Sequence, residues 1–184
     1  MTSLQSTVPA VPGIVKSGYA PGRTPDRHNL PMPEQTSLSV RSGPWDATAI
    51  GRFLDRTAIP LRLASNGSAF PLVQSLWFAY DPGILWCCTQ ADSVVARRLG
   101  ADERCAFEVS GDSPPYRGVR GTGRARLARD GVDQLLPRLI DRYLGSTTSP
   151  LADWLMSRLE SEVAIAITSL SVTSWDYGAR MSAP

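Results

Sequence analysis

A serine that opens a helix, with two arginines one turn behind it, carries the clearest chemical signal in this chain: Ser93 in ADSVVARRL, followed by Arg97 and Arg98. A hydroxyl and free backbone N–H groups at a helix start, backed by guanidinium groups, suit a phosphate or other anion. The same residues also serve as an ordinary helix cap and solvated arginines. Arg120, Arg124 and Arg126 project from one strand face, which reads as solvated or at an interface, with Arg120 alone a candidate to meet an acidic ligand. Trp77 and Trp86 read as core aromatics. Trp175, beside Asp176, Tyr177 and Arg180 near the chain end, reads equally as a core or a contact residue.

Other chemistry is excluded. The one histidine, His28, stands alone, so a Ser-His-Asp set cannot form. There is no CxxC spacing, and no metal site is expected. The glycines of RGTGR sit in a strand rather than a strand-to-helix turn, which removes a Rossmann reading. Glu108, the lone acid in CAFEVS, reads as a partner for a nearby arginine. No residue can be named as a catalytic acid, base or nucleophile.

With 184 residues, 42% of them apolar, the chain can bury one sizeable core. A formal charge of +2 and the lack of a basic stripe argue against a nucleic-acid partner. Lys16 is the only lysine among 19 basic residues, so any anion site must use arginine, hydroxyls or backbone N–H groups. Cys87, Cys88 and Cys105 cannot all pair within one chain, and they read as reduced thiols of a cytoplasmic protein. No apolar run is long enough for a membrane span, and prolines interrupt VPAVPGIV.

The elements that must position these residues follow from periodicity. Residues 1–43, rich in Pro, Ser, Thr and Gly, read as a disordered arm, with 20–43 able to cover a pocket. A folded domain over 44–184 begins with a helix carrying Ile50, Phe53 and Leu54 behind Asp46. An antiparallel meander follows at about 59–65, 69–79 and 83–89, turning at Asn66-Gly67 and Asp81-Pro82-Gly83. The helix at about 92–100 leads to strand 105–110. A long strand then alternates Val119, Gly121, Gly123, Ala125 and Leu127 against Arg120, Thr122, Arg124 and Arg126.

A helix with Leu135, Leu136, Leu139, Ile140, Tyr143 and Leu144 on one stripe ends at Gly145, with Pro137 kinking it or starting its regular part. Ser149-Pro150 starts another, whose buried stripe is Leu151, Trp154, Leu155 and Leu159. VAIAITSLSVTSWDYGARM closes the chain as two strands turning near Ser169 to Ser171. The fold class is mainly β with flanking helices (α+β), a six- to seven-stranded antiparallel split β-barrel.

The pieces PLRLASNGSAFPLVQSLWFAYDPG, LWCCTQADSVVARRLGADERCAFEV, YRGVRGTG and SWDYGARM, in this order over residues 45–181, resemble the split-barrel flavin family that includes pyridoxamine 5'-phosphate oxidase and the flavin/deazaflavin oxidoreductases. The resemblance implies a homodimer with two flavin sites at the subunit interface. It sets Gln74, Ser75, Leu76 and Trp77 along the isoalloxazine, and Cys88, Thr89 and Gln90 on the ribityl and phosphate side. It matches Ser93 to the phosphate hydroxyl, with Arg97 one helical turn on, and brings Arg120 to flavin or an acidic substrate. Trp175 and Arg180 look like the C-terminal pair that reaches the partner subunit's flavin.

Departures are specific. Val95 stands where the oxidase branch often has lysine, and Gly118 replaces a polar residue that touches flavin there. The histidine expected near Arg180 is missing, which argues against pyridoxamine phosphate oxidation. The expected function is FMN-dependent transfer of hydride or electrons to a small organic substrate. The alternatives are a deazaflavin-dependent reductase, favoured by Val95, and a non-catalytic ligand-binding split barrel, favoured by Val95 and Gly118.

Overall fold

A computed structural model describes residues 36–182. Its strands are β1 (Leu38–Ser42), β2 (Leu61–Ser65), β3 (Leu72–Leu76), β4 (Phe78–Asp81), β5 (Ile84–Gln90), β6 (Arg104–Ser110), β7 (Arg117–Ala128) and β8 (Glu162–Asp176). The helices are α1 (Ala47–Arg56), α2 (Val94–Ala101), α3 (Val132–Leu144), α4 (Pro150–Met156) and α5 (Gly178–Met181), with a 3-10 turn at Leu159–Ser161.

Hydrogen-bonded neighbours run β3-β2-β6-β7-β8-β5-β4, all antiparallel. The strands at the two ends of that order, β3 and β4, are consecutive in sequence and separated only by Trp77. The covalent chain therefore draws the sheet's two edges together and curls it into a barrel. Strand β8 bonds β5 along residues 162–167 and β1, in parallel, along residues 170–173. One edge of a long strand is thus shared by two short ones, and there the barrel is split.

Burial explains why β5 reads as the unbroken apolar run ILWCC. Leu85 and Cys87 face the barrel interior with Leu61, Leu63, Phe78, Phe107, Ile165 and Ile167. Ile84 and Trp86 face outward and are covered by Leu135 and Leu139 of α3. A strand covered on both faces loses the apolar/polar alternation. The adjacent cysteines separate accordingly: Cys87 lies inside the barrel and Cys88 packs under α3.

Three expectations change. The segment 69–79 is two strands, broken at Trp77, because β3 bonds β2 while β4 bonds β5. The closing segment is one strand of 15 residues instead of two. The run Ser169 to Ser171 makes a bulge: Thr122 faces Ser171 and Arg124 faces Thr168, leaving Ser169 and Leu170 opposite Gly123, with Ser169 at φ 52°. Leu151 and Trp154 of α4 are exposed, at 47% and 53%, while the small Ala152 is buried. Of the stripe expected for α4, only Leu155 and Leu159 are partly covered.

The expected arm divides at the edge of the described residues. Residues 1–35 lie outside them, as does most of the segment expected to cover a pocket. Leu38–Ser42 pairs with β8, and Ser42 Oγ lies 3.1 Å from Thr173 Oγ1. At Gly43 (φ 111°) a Cβ would meet the Ser174 carbonyl oxygen at 2.1 Å, so the chain needs glycine to leave β1.

Helix α3 is fastened at its middle and in its last turn. Arg138 makes a bidentate pair with Asp81 of β4, at 2.8 and 2.9 Å. Arg142 donates to the carbonyl oxygens of Leu54, Asp55 and Thr57, which satisfies acceptors that the end of α1 leaves open.

Candidate functional site

A cleft of about 410 Å³ opens where β3, the Trp77 break, β5 and the start of α2 meet α3 and α4. It is lined by residues 74–77, 88–90 and Ser93, which the sequence had singled out. The closure of the barrel explains the convergence. Trp77 joins β3 to β4, β4 bonds β5, and β5 runs directly into the turn before α2.

The hydroxyls of Ser93 and Tyr143 have defined partners. Ser93 caps α2 by accepting from Ala96 N–H at 3.2 Å, and it accepts again from Thr89 Oγ1 at 3.1 Å. In both bonds the serine oxygen is the acceptor, so its own proton remains to be donated to an acceptor in the cleft. The Trp77 ring stacks on Tyr143, with centroids 4.9 Å apart and planes 3° from parallel. Tyr143 Oη accepts from Phe78 N–H at 3.1 Å and donates to the Ile59 carbonyl at 3.2 Å, which fixes the stack to the backbone. Burial raises the Tyr143 pKa, keeping this phenol protonated as a donor.

Sequence reasoning missed the opposite wall: Leu136, Leu139, Leu151, Leu155, Arg158 and Glu162. The leucines had been read as core stripes, and nothing local distinguishes a leucine that lines a cleft from one that fills a core. Arg158 Nη2 lies 3.4 Å from Glu162 Oε1, and its guanidinium sits 4.5 Å from the Trp154 ring centroid. The buried Arg158 Nε has no hydrogen-bond partner among the described residues. Glu162 is buried, and desolvation pushes its pKa up while Arg158 pulls it down. The sequence signal was the R-x-x-x-E spacing, which looks the same as a solvated surface pair.

The other singled-out residues stand apart. Arg97 is exposed and its guanidinium bonds the Asp92 carbonyl, outside the cleft lining. Arg120 lines a separate open groove with Arg41, Arg62 and Glu108, and lies 6.0 Å from the Trp175 ring. Glu108 is the partner of Arg62 at 3.2 Å, as the sequence suggested. Arg180 lies over Tyr177 in α5 and its lead-in.

Two of the three departures from the oxidase pattern are explained by packing. Val95 is fully buried in the core, so its side chain points away from any ligand. At Gly118 a Cβ would meet the Val109 carbonyl at 2.6 Å and the Trp175 ring at 2.7 Å, so no side chain fits. Cys88 stays a protonated thiol at neutral pH, because burial raises its pKa strongly with Glu162 adding to the effect. Burial likewise pushes Cys105 up to about 12. No helix among the described residues is long and apolar enough to cross a membrane.

No protein-family model and no curated protein sequence matches this chain. Solved structures do. A conserved hypothetical protein from Mycobacterium tuberculosis is similar with a TM-score of 0.62 at 23% identity, over 88% of this chain and 94% of that one. An F420 reductase is similar with a TM-score of 0.54 at 25% identity, over 65% of this chain and 92% of that one. A provisionally assigned pyridoxamine 5'-phosphate oxidase from Listeria innocua has a TM-score of 0.55 at 17% identity, over 70% of this chain and 96% of that one. Together with the strand order, these likenesses give the fold as the pyridoxamine 5'-phosphate oxidase-like split barrel.

Proposed function

We propose, with that split barrel as premise, that this chain is an oxidoreductase whose flavin-class cofactor, FMN or a deazaflavin, binds in the cleft beside Ser93. One observation carries the reading: three separate segments, 74–77, 88–90 and Ser93, line a single cleft with a donor hydroxyl at one end. Its volume of about 410 Å³ falls in the range of roughly 300–1,000 Å³ usual for small-molecule sites. The similar F420 reductase supports a cofactor of this class.

The residues present fit such a group. Ser93 has a proton to donate to a phosphate oxygen. Arg158 supplies a cation with an unpartnered buried N–H, compensating for the valine at position 95. Trp77, held flat by Tyr143, offers an apolar wall, and Leu136, Leu139, Leu151 and Leu155 exclude water from the other side. Among the lining residues Glu162 is the only acid, and its raised pKa lets it hold a proton nearer neutral pH than an exposed carboxyl does. Bound flavin supplies the redox chemistry itself, giving or taking a hydride or electrons.

A homodimer belongs to the same proposal. Within one chain Arg120, Trp175 and Arg180 stand outside the cleft, and a second copy is what would carry Trp175 and Arg180 to a flavin. The test is a titration of purified protein with FMN and, separately, with F420, read by fluorescence. Saturable binding of one of them at micromolar concentration is the expected result, and protein as isolated whose absorbance peaks match those of free FMN assigns FMN. Absence of saturation by either up to about 100 µM removes the enzyme reading and leaves a split barrel with another ligand.

A further inference from the structure

A second cleft, about 370 Å³ in volume, lies between α1 and the paired ends of β7 and β8 and shares no lining residue with the first. Arg52, Arg56 and Arg117 line it, with Asp176 as the one carboxylate. Most described arginines have a partner. Arg62, Arg104, Arg124, Arg138 and Arg158 pair with acids, and Arg97, Arg98, Arg129 and Arg142 bond carbonyl oxygens. Arg52, Arg56 and Arg117, like Arg41, Arg120, Arg126 and Arg180, have neither kind of partner among the described residues, and these three share one cleft. Asp176 Oδ1 accepts from Gly178 N–H at 2.8 Å, and its charge offsets one of the three guanidinium groups.

Arg52 and Arg56 sit four residues apart on one face of α1, where like charges repel. Register pairing of Arg117 with Asp176 brings the third guanidinium to the same wall. The floor is aromatic: the Trp45 and Phe53 rings lie 5.0 Å apart, tilted by 43°. Three guanidinium groups against one carboxylate leave the cleft net positive, and with the aromatic pair they match a ligand with a flat apolar body and an anionic head.

We propose that this cleft is a second binding site, taking an aryl or heteroaryl anion whose phosphate or carboxylate is held by Arg52, Arg56 and Arg117. The cleft shares no lining residue with the one beside Ser93, so its ligand is titrated separately from a flavin there.

Calorimetric titration of the full chain with phenyl phosphate, and in parallel with inorganic phosphate, tests it. The expected result is saturable binding of phenyl phosphate, tighter than inorganic phosphate. An Arg52→Ala/Arg117→Ala variant should weaken it by at least about tenfold. The exposed-strand control Arg126→Ala should leave it unchanged. No saturation up to about 10 mM overturns the proposal. So does binding that survives the double arginine change, or that Ser93→Ala abolishes. All the altered arginines are exposed, and an unchanged thermal midpoint separates lost binding from lost fold.

Discussion

Replacing Arg138 with alanine lowers the unfolding free energy by about 3–5 kcal/mol, the loss usual when one partner of a buried ion pair is removed. The side chains of Arg138 and Asp81 are only 18% and 11% exposed, and they share two hydrogen bonds. Arg138 also donates to the Tyr80 carbonyl at 3.1 Å. Removal leaves the Asp81 carboxylate and that carbonyl short of a donor in a place water reaches poorly. Urea denaturation followed by circular dichroism measures the cost. A loss below about 1 kcal/mol would mean that water or another side chain replaces the guanidinium. The effect should extend to the cleft, since the same helix carries Leu136, Leu139 and Tyr143.

The second large effect concerns binding. Ser93→Ala combined with Arg158→Ala should weaken flavin affinity by about 2–4 kcal/mol, roughly 30- to 1,000-fold, as two hydrogen bonds to an anion are lost. Each alone should cost about 1–3 kcal/mol. Arg158→Ala also leaves the buried Glu162 carboxyl without its partner, so thermal denaturation of each variant separates lost affinity from lost fold. Equilibrium titration with the cofactor that binds the wild type reads the result, and Arg97→Ala is the informative comparison. If Arg97→Ala weakens binding more than the double variant does, the anion sits on the outer face of α2.

The sequence made the barrel legible where burial is one-sided. The alternation in β7, the Ser93 cap and the Pro82-Gly83 turn each have a local cause, and they stand where expected. The cleft residues on β3, β5 and α2 were legible only through the resemblance, because their convergence depends on the sheet closing through Trp77.

What escaped notice has equally physical reasons. β1 is a short strand with three of its five residues Ser or Arg, and only Leu38 packs against the core, so two apolar residues in alternation are too few to mark it. The bulge at Ser169 has the polar composition of a turn, and only pairing with β7 tells the two apart. Leu151 looked like core because helical spacing cannot report that the neighbouring surface is a cleft. Arg158 and Glu162 come together across the 3-10 turn, and their spacing carries no mark of the wall they form.

The central claim is that the cleft beside Ser93 holds the flavin. A crystal structure of the cofactor-loaded protein measures this most directly. The account predicts a phosphate oxygen within hydrogen-bond distance of Ser93 Oγ, with the ring system along Gln74 to Trp77. A flavin found in the groove at Arg120 instead, with the Ser93 cleft closed by α4, would contradict it.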